Sequence, residues 1–556
     1  MPGKITDDHI SGLVRALFDD KLYFKMKDDR FLPHSEEKIA NALAQVAQEA
    51  SREEKIREGS EWLRAVMEGK PVQDPRCREE ITRVLADLAL HGEDAPSLRF
   101  GKELLQRAGV TDLREARRLL VSLGVWSEDE NLDLLRFEIR IPFSAEHLSE
   151  SERICRAPSP AEDREDLRDL RILTIDGPMT RDFDDALSLS VEGDRIHLGI
   201  HIADVAGIIE PDTLLDEEAS QRGTSLYLPR HQIPMLPVAL SQEALSLKQG
   251  CDRPAISLLA QLDRDGNLIE SRFVQSLVRV EKQWTYDEVN ESFAREPRFR
   301  EMRRLSQILR QKRLDQGALV LSLPEIAVEL TGQGVVLLHK VEQDTPSRAM
   351  VAEFMIFYNW LAARFCRDHQ IPAIYRRQEA PAERLPPEET NYIYYVFKQR
   401  RKLSPLSIHT EPKPHSSLGV DMYTTVSSPI RRYYDLLVQR QIRSYLFRGE
   451  PQYTREEVEK KKLVLDPLLK SIELLTRNST RYWIQKYLAQ HVGEKFPAFV
   501  LDVIRNKYRV LLSDVLLIAE VKRENGQNLH EGQEIMVKIR KSDPWEDYLK
   551  VDIEKR

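Results

Sequence analysis

Four aspartates, Asp176, Asp182, Asp184 and Asp185, fall within ten residues, on either side of a Gly177-Pro178 turn. Carboxylates this close repel one another by about 1 kcal/mol per pair at 4 Å in water, and by more once buried. The surrounding pattern predicts that they are not simply solvated. Arg171 to Asp176 reads as a strand that runs into the turn, and a second strand begins near Asp182. Phe183, Leu187, Leu189 and Val191 share one parity along it, and Asp185 interrupts that apolar side. A carboxylate turned toward a core is unfavourable unless it is paired or bound to a cation. Glu192-Gly193-Asp194 then makes a turn, and Ile196, Leu198, Ile200 and Ile202 form the apolar side of a returning strand. The aspartates therefore gather at the mouth of a sheet. The competing reading is an acidic loop on a solvated face. An EF-hand fails on spacing, because Leu187 stands where the loop needs glycine. All-oxygen ligation suits magnesium or manganese rather than zinc, and such a site polarises a phosphoryl oxygen and activates water.

A second signal lies at Ser427-Ser428-Pro429-Ile430-Arg431-Arg432-Tyr433. Ser428 suits an N-cap and Pro429 a first helical turn, which puts both arginines at the positive end of a helix. The helix dipole disfavours cations there unless an anion such as phosphate binds. Residues 393–450 hold ten Lys/Arg and four Asp/Glu, 10 − 4 = +6, with tyrosines interleaved at 394, 395, 423, 433 and 434. Basic residues among aromatics are what a channel for single-stranded nucleic acid requires; a solvated helix face gives the same composition. The whole chain carries 83 − 91 = −8. That balance excludes a protein that coats nucleic acid, but not a narrow basic channel with an acidic end.

The remaining sequence divides around these signals. Ile10, Leu13, Val14 and Leu17 mark an amphipathic helix, and Leu22, Phe24 and Met26 with the Asp28-Asp29 turn predict a small hairpin, a winged-helix-like pairing. Ser35 to about Gly69 reads as a long helix, and two short helices flank Gly109-Val110-Thr111, with Thr111 as N-cap and Gly124 as the stop. This second pattern resembles a helix-turn-helix, which either packs or contacts nucleic acid. The expected organisation is a helical module over 1–156, a linker over 157–169, a mixed domain over 170–488 and a small OB-type barrel over 489–556. The N-terminus lacks the apolar core of a signal peptide, no apolar run spans a membrane, and Cys77, Cys155, Cys251 and Cys366 are scattered. A cytoplasmic setting is expected.

The separated motifs together resemble the ribonuclease II family of 3′→5′ exoribonucleases over about residues 165–450. They are Thr174-Ile175-Asp176 with Asp182-Phe183-Asp184-Asp185-Ala186; His201-Ile202-Ala203-Asp204-Val205; Tyr227-Leu228-Pro229; Glu353-Phe354-Met355 with Asn359; His415 with Leu418-Gly419; and Ser428-Pro429-Ile430-Arg431-Arg432-Tyr433. The resemblance implies an α+β multidomain chain: a helical, winged-helix-like N-terminal module, a mixed α/β RNB catalytic domain and a C-terminal OB-type β-barrel. It implies hydrolysis of single-stranded RNA to nucleoside 5′-monophosphates by a processive, monomeric enzyme that uses Mg2+, with Mn2+ as a substitute, and no small-molecule cofactor. Asp176, Asp182, Asp184 and Asp185 are similar to the family's catalytic, metal-binding aspartates, and Asp184 matches the one on which the chemistry most depends. Arg431 resembles the arginine at the scissile phosphate, and Arg432 is an RNA contact beside it. Tyr227 resembles the aromatic that stacks on the 3′-terminal base, and Tyr286 with Glu353 the pair that reads ribose 2′-hydroxyls. Leu321 stands where the family often has phenylalanine, and Gln378 and Gln439 stand where many members have histidine. These departures keep open a second reading, an RNA-binding protein of the same fold that does not cleave. His201 and His415 read as scaffold residues, and Trp284, Trp360 and Trp483 as core.

Overall fold

A computed structural model describes the chain except for residues 1–5, 21, 157–162, 333, 388–390, 524–527 and 555–556. The extreme N-terminus and the Ala157–Pro160 part of the expected linker lie outside the described residues. The chain forms two compact units that divide at Ile139/Arg140, earlier than the expected boundary at 156.

The first unit is helical. Asp28 and Asp29 take positive φ (48° and 58°) in the turn between strands Phe24–Lys27 and Arg30–Pro33. Short polar side chains tolerate that conformation in a two-residue hairpin. Ser35 caps helix Glu36–Met67 by accepting from the Lys38 amide at 3.4 Å. Trp62, Leu63, Ile81, Leu85, Leu104 and Leu120 make its core. The helix-turn-helix expectation holds for helices Leu98–Ala108 and Glu115–Ser122, with Gly109 left-handed at φ 90°. Thr111 is not the N-cap, however: Arg114 occupies that position, because Asp112 instead accepts from the Arg114 amide and guanidinium.

The second unit is built on one mixed sheet. Its order is Glu165–Asp166, Leu268–Thr285, Ile172–Asp176, Asp185–Glu192, Arg195–Ala203 and Asp252–Leu262. The 18-residue strand Leu268–Thr285 also pairs with Asp252–Leu262, so the ladder closes on itself. It runs parallel to Ile172–Asp176 over Val280–Thr285. Helices Pro346–Asp368 and Tyr433–Arg448 cover one side and bury Phe354, Tyr358, Leu437 and Val438 with sheet residues Ile175, Leu187, Ile200, Ile202 and Ile256. His201 is the scaffold residue expected: Ser188 Oγ lies 3.0 Å from Nε2 and Ser257 Oγ 2.7 Å from Nδ1. Burial lowers its pKa to about 3, so it stays neutral.

Within the expected linker, Glu165–Asp166 is a strand of this sheet. Glu165–Asp166 pairs with Ser276 and Leu277, and Arg164 makes a buried ion pair with Asp204 at 2.5 Å (2% and 0% side-chain exposure). Helix Ala145–Arg156 also belongs to this unit, and Arg222 binds the carbonyls of Ile141 and Pro142. Helix Arg455–Gln490, opened by a Thr454/Glu457 capping box, leads into five antiparallel strands ordered 517–522, 507–512, 495–504, 534–543 and 548–553. The first and last of these approach each other, which nearly closes the expected OB-type barrel around Val500, Tyr508, Val510, Val537 and Ile539. Removing one partner of a buried pair strands the other charge. Arg164→Ala is therefore expected to lower the stability of the second unit by roughly 3 kcal/mol, read as a drop in its melting temperature. A chain begun at residue 170 should show the same loss.

Candidate active site

Asp176 ends one strand of the sheet and Asp185 begins the next, so the loop 177–184 hangs between two fixed points. The second strand starts at Asp185, later than the sequence suggests, because the backbone before it is tied to neighbouring loops. Phe183 N–H donates to Ser246 Oγ at 2.9 Å, Ser246 Oγ donates to Arg181 O at 3.0 Å, and Leu247 N–H donates to Phe183 O at 3.0 Å. Ala203 N–H donates to Asp184 O at 2.8 Å. Gln439 holds that strand end, donating to Ala203 O at 2.7 Å and accepting from Ala206 N–H at 3.0 Å. The glutamine in place of a histidine thus satisfies both its ends in a fully buried position.

The turn 428–432 meets Asp184 from the far side. Ile430 N–H donates to Asp184 Oδ1 at 2.8 Å and Arg431 Nε to Oδ2 at 3.3 Å. Here the structure corrects the sequence reading. The helix begins at Tyr433 with Arg432 as N-cap, so Ser428 is not the cap and neither arginine lies in the first turn. Ser428 O instead accepts from the Arg431 and Arg432 amides, closing a separate turn. The Ile430 amide is spent on Asp184. Asp435, wholly buried in the first helical turn, reaches back to accept from Ser428 N–H at 2.9 Å and Arg432 Nη2 at 2.7 Å. Ser428 Oγ in turn accepts from Arg431 Nη2 at 3.1 Å. Asp435 therefore fixes the turn that presents Arg431, and takes Arg432 Nη2 into the same support.

A cavity of about 620 Å³ opens over these groups. All four aspartates, Arg431, Tyr227 and Tyr286 line it. Tyr227 is 52% exposed, and its hydroxyl donates to Asp182 Oδ2 at 2.5 Å, which leaves the ring available for stacking. Glu353 is not in the cavity. It is 5% exposed, and Arg313 takes both its oxygens (Nε 2.9 Å, Nη2 2.5 Å). Helix Pro346–Asp368 sends Arg348 to the cavity wall instead, a residue the sequence reading missed. Leu321 is not among the lining residues; its carbonyl accepts from Arg400 at 2.8 Å. Gln378 donates to Ser404 O and accepts from Ser417 Oγ. The +6 window is also largely neutralised, for eight of its ten cations form ion pairs.

Comparison with known proteins agrees with this geometry. Residues 164–448 match the RNB domain family, and residues 39–132 a double HTH domain. The chain belongs to the ribonuclease II family of exoribonucleases. It is 30% identical to an uncharacterized ribonuclease of Synechocystis sp., over 96% of this chain and 82% of that protein. It is 34% identical to ribonuclease R of Chlamydia muridarum over 50% of this chain, which spans 46% of that longer protein. An active-site mutant of the Dss1 exoribonuclease from Candida glabrata shares the fold at 20% identity with a TM-score of 0.76, covering 98% of this chain and 76% of that one. Mycoplasma genitalium RNase R in complex with ribose methylated single-stranded RNA aligns at 18% identity with a TM-score of 0.68, over 76% and 77% of the two chains.

In this RNB domain the electrostatics favour a cation. Burial raises Asp184 to about 7 against the pull of Arg431 and Ile430 N–H, and raises Asp185 to about 6. Asp176 is held well above the usual carboxylate range by burial and by repulsion from Asp185 and Asp184. Burial opposes the charge on Arg431, but attraction to Asp184 outweighs it and the guanidinium stays charged. Asp176 Oδ2 is buried with no hydrogen-bond partner. An orphaned carboxylate oxygen beside like charges, with only oxygen donors around it, fits a hard divalent cation. Among the described residues no three His, Cys, Asp or Glu side chains form a complete ligand set.

A carboxyl raised in the folded state contributes stability that is full below its unfolded value near about 4 and is lost as pH rises through the folded one. The stability contributed by Asp184 and Asp185 should thus fade between pH 4 and about 7 in metal-free protein. Above that window a bound cation would offset the charge of the ionised site. Mg2+ is therefore expected to raise the melting temperature clearly at pH 8 and hardly at pH 5.5, with Asp184→Asn losing most of the increment. Asp435→Ala frees the 428–432 turn, so cleavage at saturating RNA should fall roughly 10- to 100-fold, with Asp435→Asn between it and wild type.

Proposed function

We propose that this chain is a Mg2+-dependent exoribonuclease, with Mn2+ as a substitute, that degrades single-stranded RNA from the 3′ end to nucleoside 5′-monophosphates, processively and as a monomer. The observation that carries the reading is Asp184. It is a buried carboxylate fixed by an amide and a guanidinium, beside Asp176 and Asp185, at the base of a cavity walled by two tyrosines. When bound, a divalent cation would neutralise Asp176, Asp182, Asp184 and Asp185, polarise the phosphate and lower the pKa of water. The chain's own residues do the rest. Arg431 lines the same cavity and would offer planar donors to the phosphate oxygens. The Tyr227 ring supplies a stacking face for the terminal base, and Tyr286 supplies a second aromatic wall. Water oxygen bonds to phosphorus, the P–O3′ bond breaks, and the proton is taken up by the O3′ of the shortened RNA. One nucleotide then leaves with its 5′-phosphate. No helix among the described residues is long and apolar enough to cross a membrane. The four free cysteines fit a reducing, cytoplasmic setting.

A 5′-labelled single-stranded RNA incubated with pure protein and Mg2+ is expected to shorten stepwise and release nucleoside 5′-monophosphates, and EDTA should stop it. Asp184→Asn should slow cleavage at least about 100-fold while RNA binding persists. Binding by wild type without cation-dependent release of mononucleotides would establish the non-cleaving reading instead.

A further inference from the structure

Arg348 sits in the first turn of helix Pro346–Asp368, where the helix dipole works against a cation. It lines the catalytic cavity, and its guanidinium carbon lies 4.3 Å from the ring centroid of Tyr286. Neighbouring arginines are committed elsewhere: Arg310 to Asp344, Arg313 to Glu353 and Arg298 to Glu281. Among the described residues no carboxylate lies within ion-pair distance of Arg348. Three arginines, Arg181, Arg348 and Arg431, line the cavity, and the two on its helix and 428–432 sides differ. Arg431 is held by Asp184, whereas Arg348 keeps its donors unspent.

The charge around it explains what those donors are for. The cavity wall carries Asp176, Asp182, Asp184, Asp185 and Glu325. A polyanion entering such a wall is repelled wherever no cation faces it. A guanidinium held against an aromatic ring is confined in orientation, and its planar fork matches the two free oxygens of a phosphodiester.

We propose that Arg348 is a second phosphate-binding arginine of the active site, gripping the backbone of the RNA chain beside the nucleotide that lies against Tyr286. This deepens the exoribonuclease reading and rests on it. The group recognised is a phosphodiester of the RNA chain rather than the 5′-phosphate of the released nucleotide.

The test uses full-length Asp184→Asn protein with Mg2+ and a fluorescein-labelled oligoadenylate, with Arg348→Gln and Arg348→Lys added in turn. Kd is measured as salt is varied. Arg348→Gln is expected to weaken binding roughly tenfold at low salt and to reduce the slope of log Kd against log salt by about 0.7, one phosphate contact on a single strand. Arg348→Lys should restore the slope but not the full affinity, because it keeps the charge and loses the fork. An unchanged slope and affinity in Arg348→Gln would overturn the assignment, as would a Lys variant as weak and as salt-insensitive as the Gln variant. If adenosine 5′-monophosphate competes tenfold less well against Arg348→Gln while oligoadenylate binding is unmoved, the arginine serves the product and the proposal fails. Failure of the exoribonuclease reading shows separately: wild-type protein would then release no mononucleotide from the same RNA.

Discussion

Asp184 is joined to a turn nearly 250 positions away in sequence by the Ile430 amide and the Arg431 guanidinium. Everything else in the catalytic unit bears on that contact. The closed ladder fixes Asp176 and Asp185 at adjacent strand ends, and Ala203, held by Gln439, fixes the Asp184 backbone. From the opposite side Asp435 holds the turn, while the Arg431 carbonyl accepts from Ser225 N–H and Thr224 Oγ1. A buried carboxylate is unfavourable by itself. It persists here because two rigid elements supply donors to one face of it and leave the other face to the cavity.

The same logic recurs away from the site. Arg440 and Asp216 are buried together at 2.7 Å, with the Tyr433 hydroxyl also donating to Asp216. Arg164 and Arg443 meet on Asp204. Such pairs contribute little net stability, yet breaking one is destabilising, so they fix the relative placement of distant segments. In the acidic cavity Asp176 keeps an oxygen without a partner, and Arg348 keeps a guanidinium without a carboxylate. Unmet demand of both signs in one cavity is what a metal-assisted phosphate site requires.

Much of the fold was legible because its cause is local. Alternation from Ile196 to Ile202 gave a strand, Asp28-Asp29 gave a turn, and the pattern from Ser35 to about Gly69 gave a long helix. The errors share a cause as well. Ser428 looks like an N-cap because the motif is a good one, but Asp435 from the following helix claims its amide. Glu353 has the right neighbours in sequence, yet Arg313 from another helix binds it. Residues 393–450 look basic because six of the carboxylates that neutralise them, Asp184, Asp204, Asp216, Glu383, Asp502 and Glu531, lie outside that window. Charge summed along a chain does not describe charge summed in space.

The sequence by itself determined the set of reacting groups. Four aspartates around one turn and an arginine before one helix are covalent facts, and they already implied hydrolysis of a phosphodiester. The sheet pattern also placed the aspartates at a strand end, since alternation is a property of neighbouring residues. Tertiary structure decided which groups are spent and which are free. Arg431 and Glu353 are held by partners far away in the chain, Asp184 and Arg313, while Arg348, in a helical turn with no motif to announce it, reaches the cavity. Pairing energies act through space, and only the folded chain brings those partners within a few ångströms.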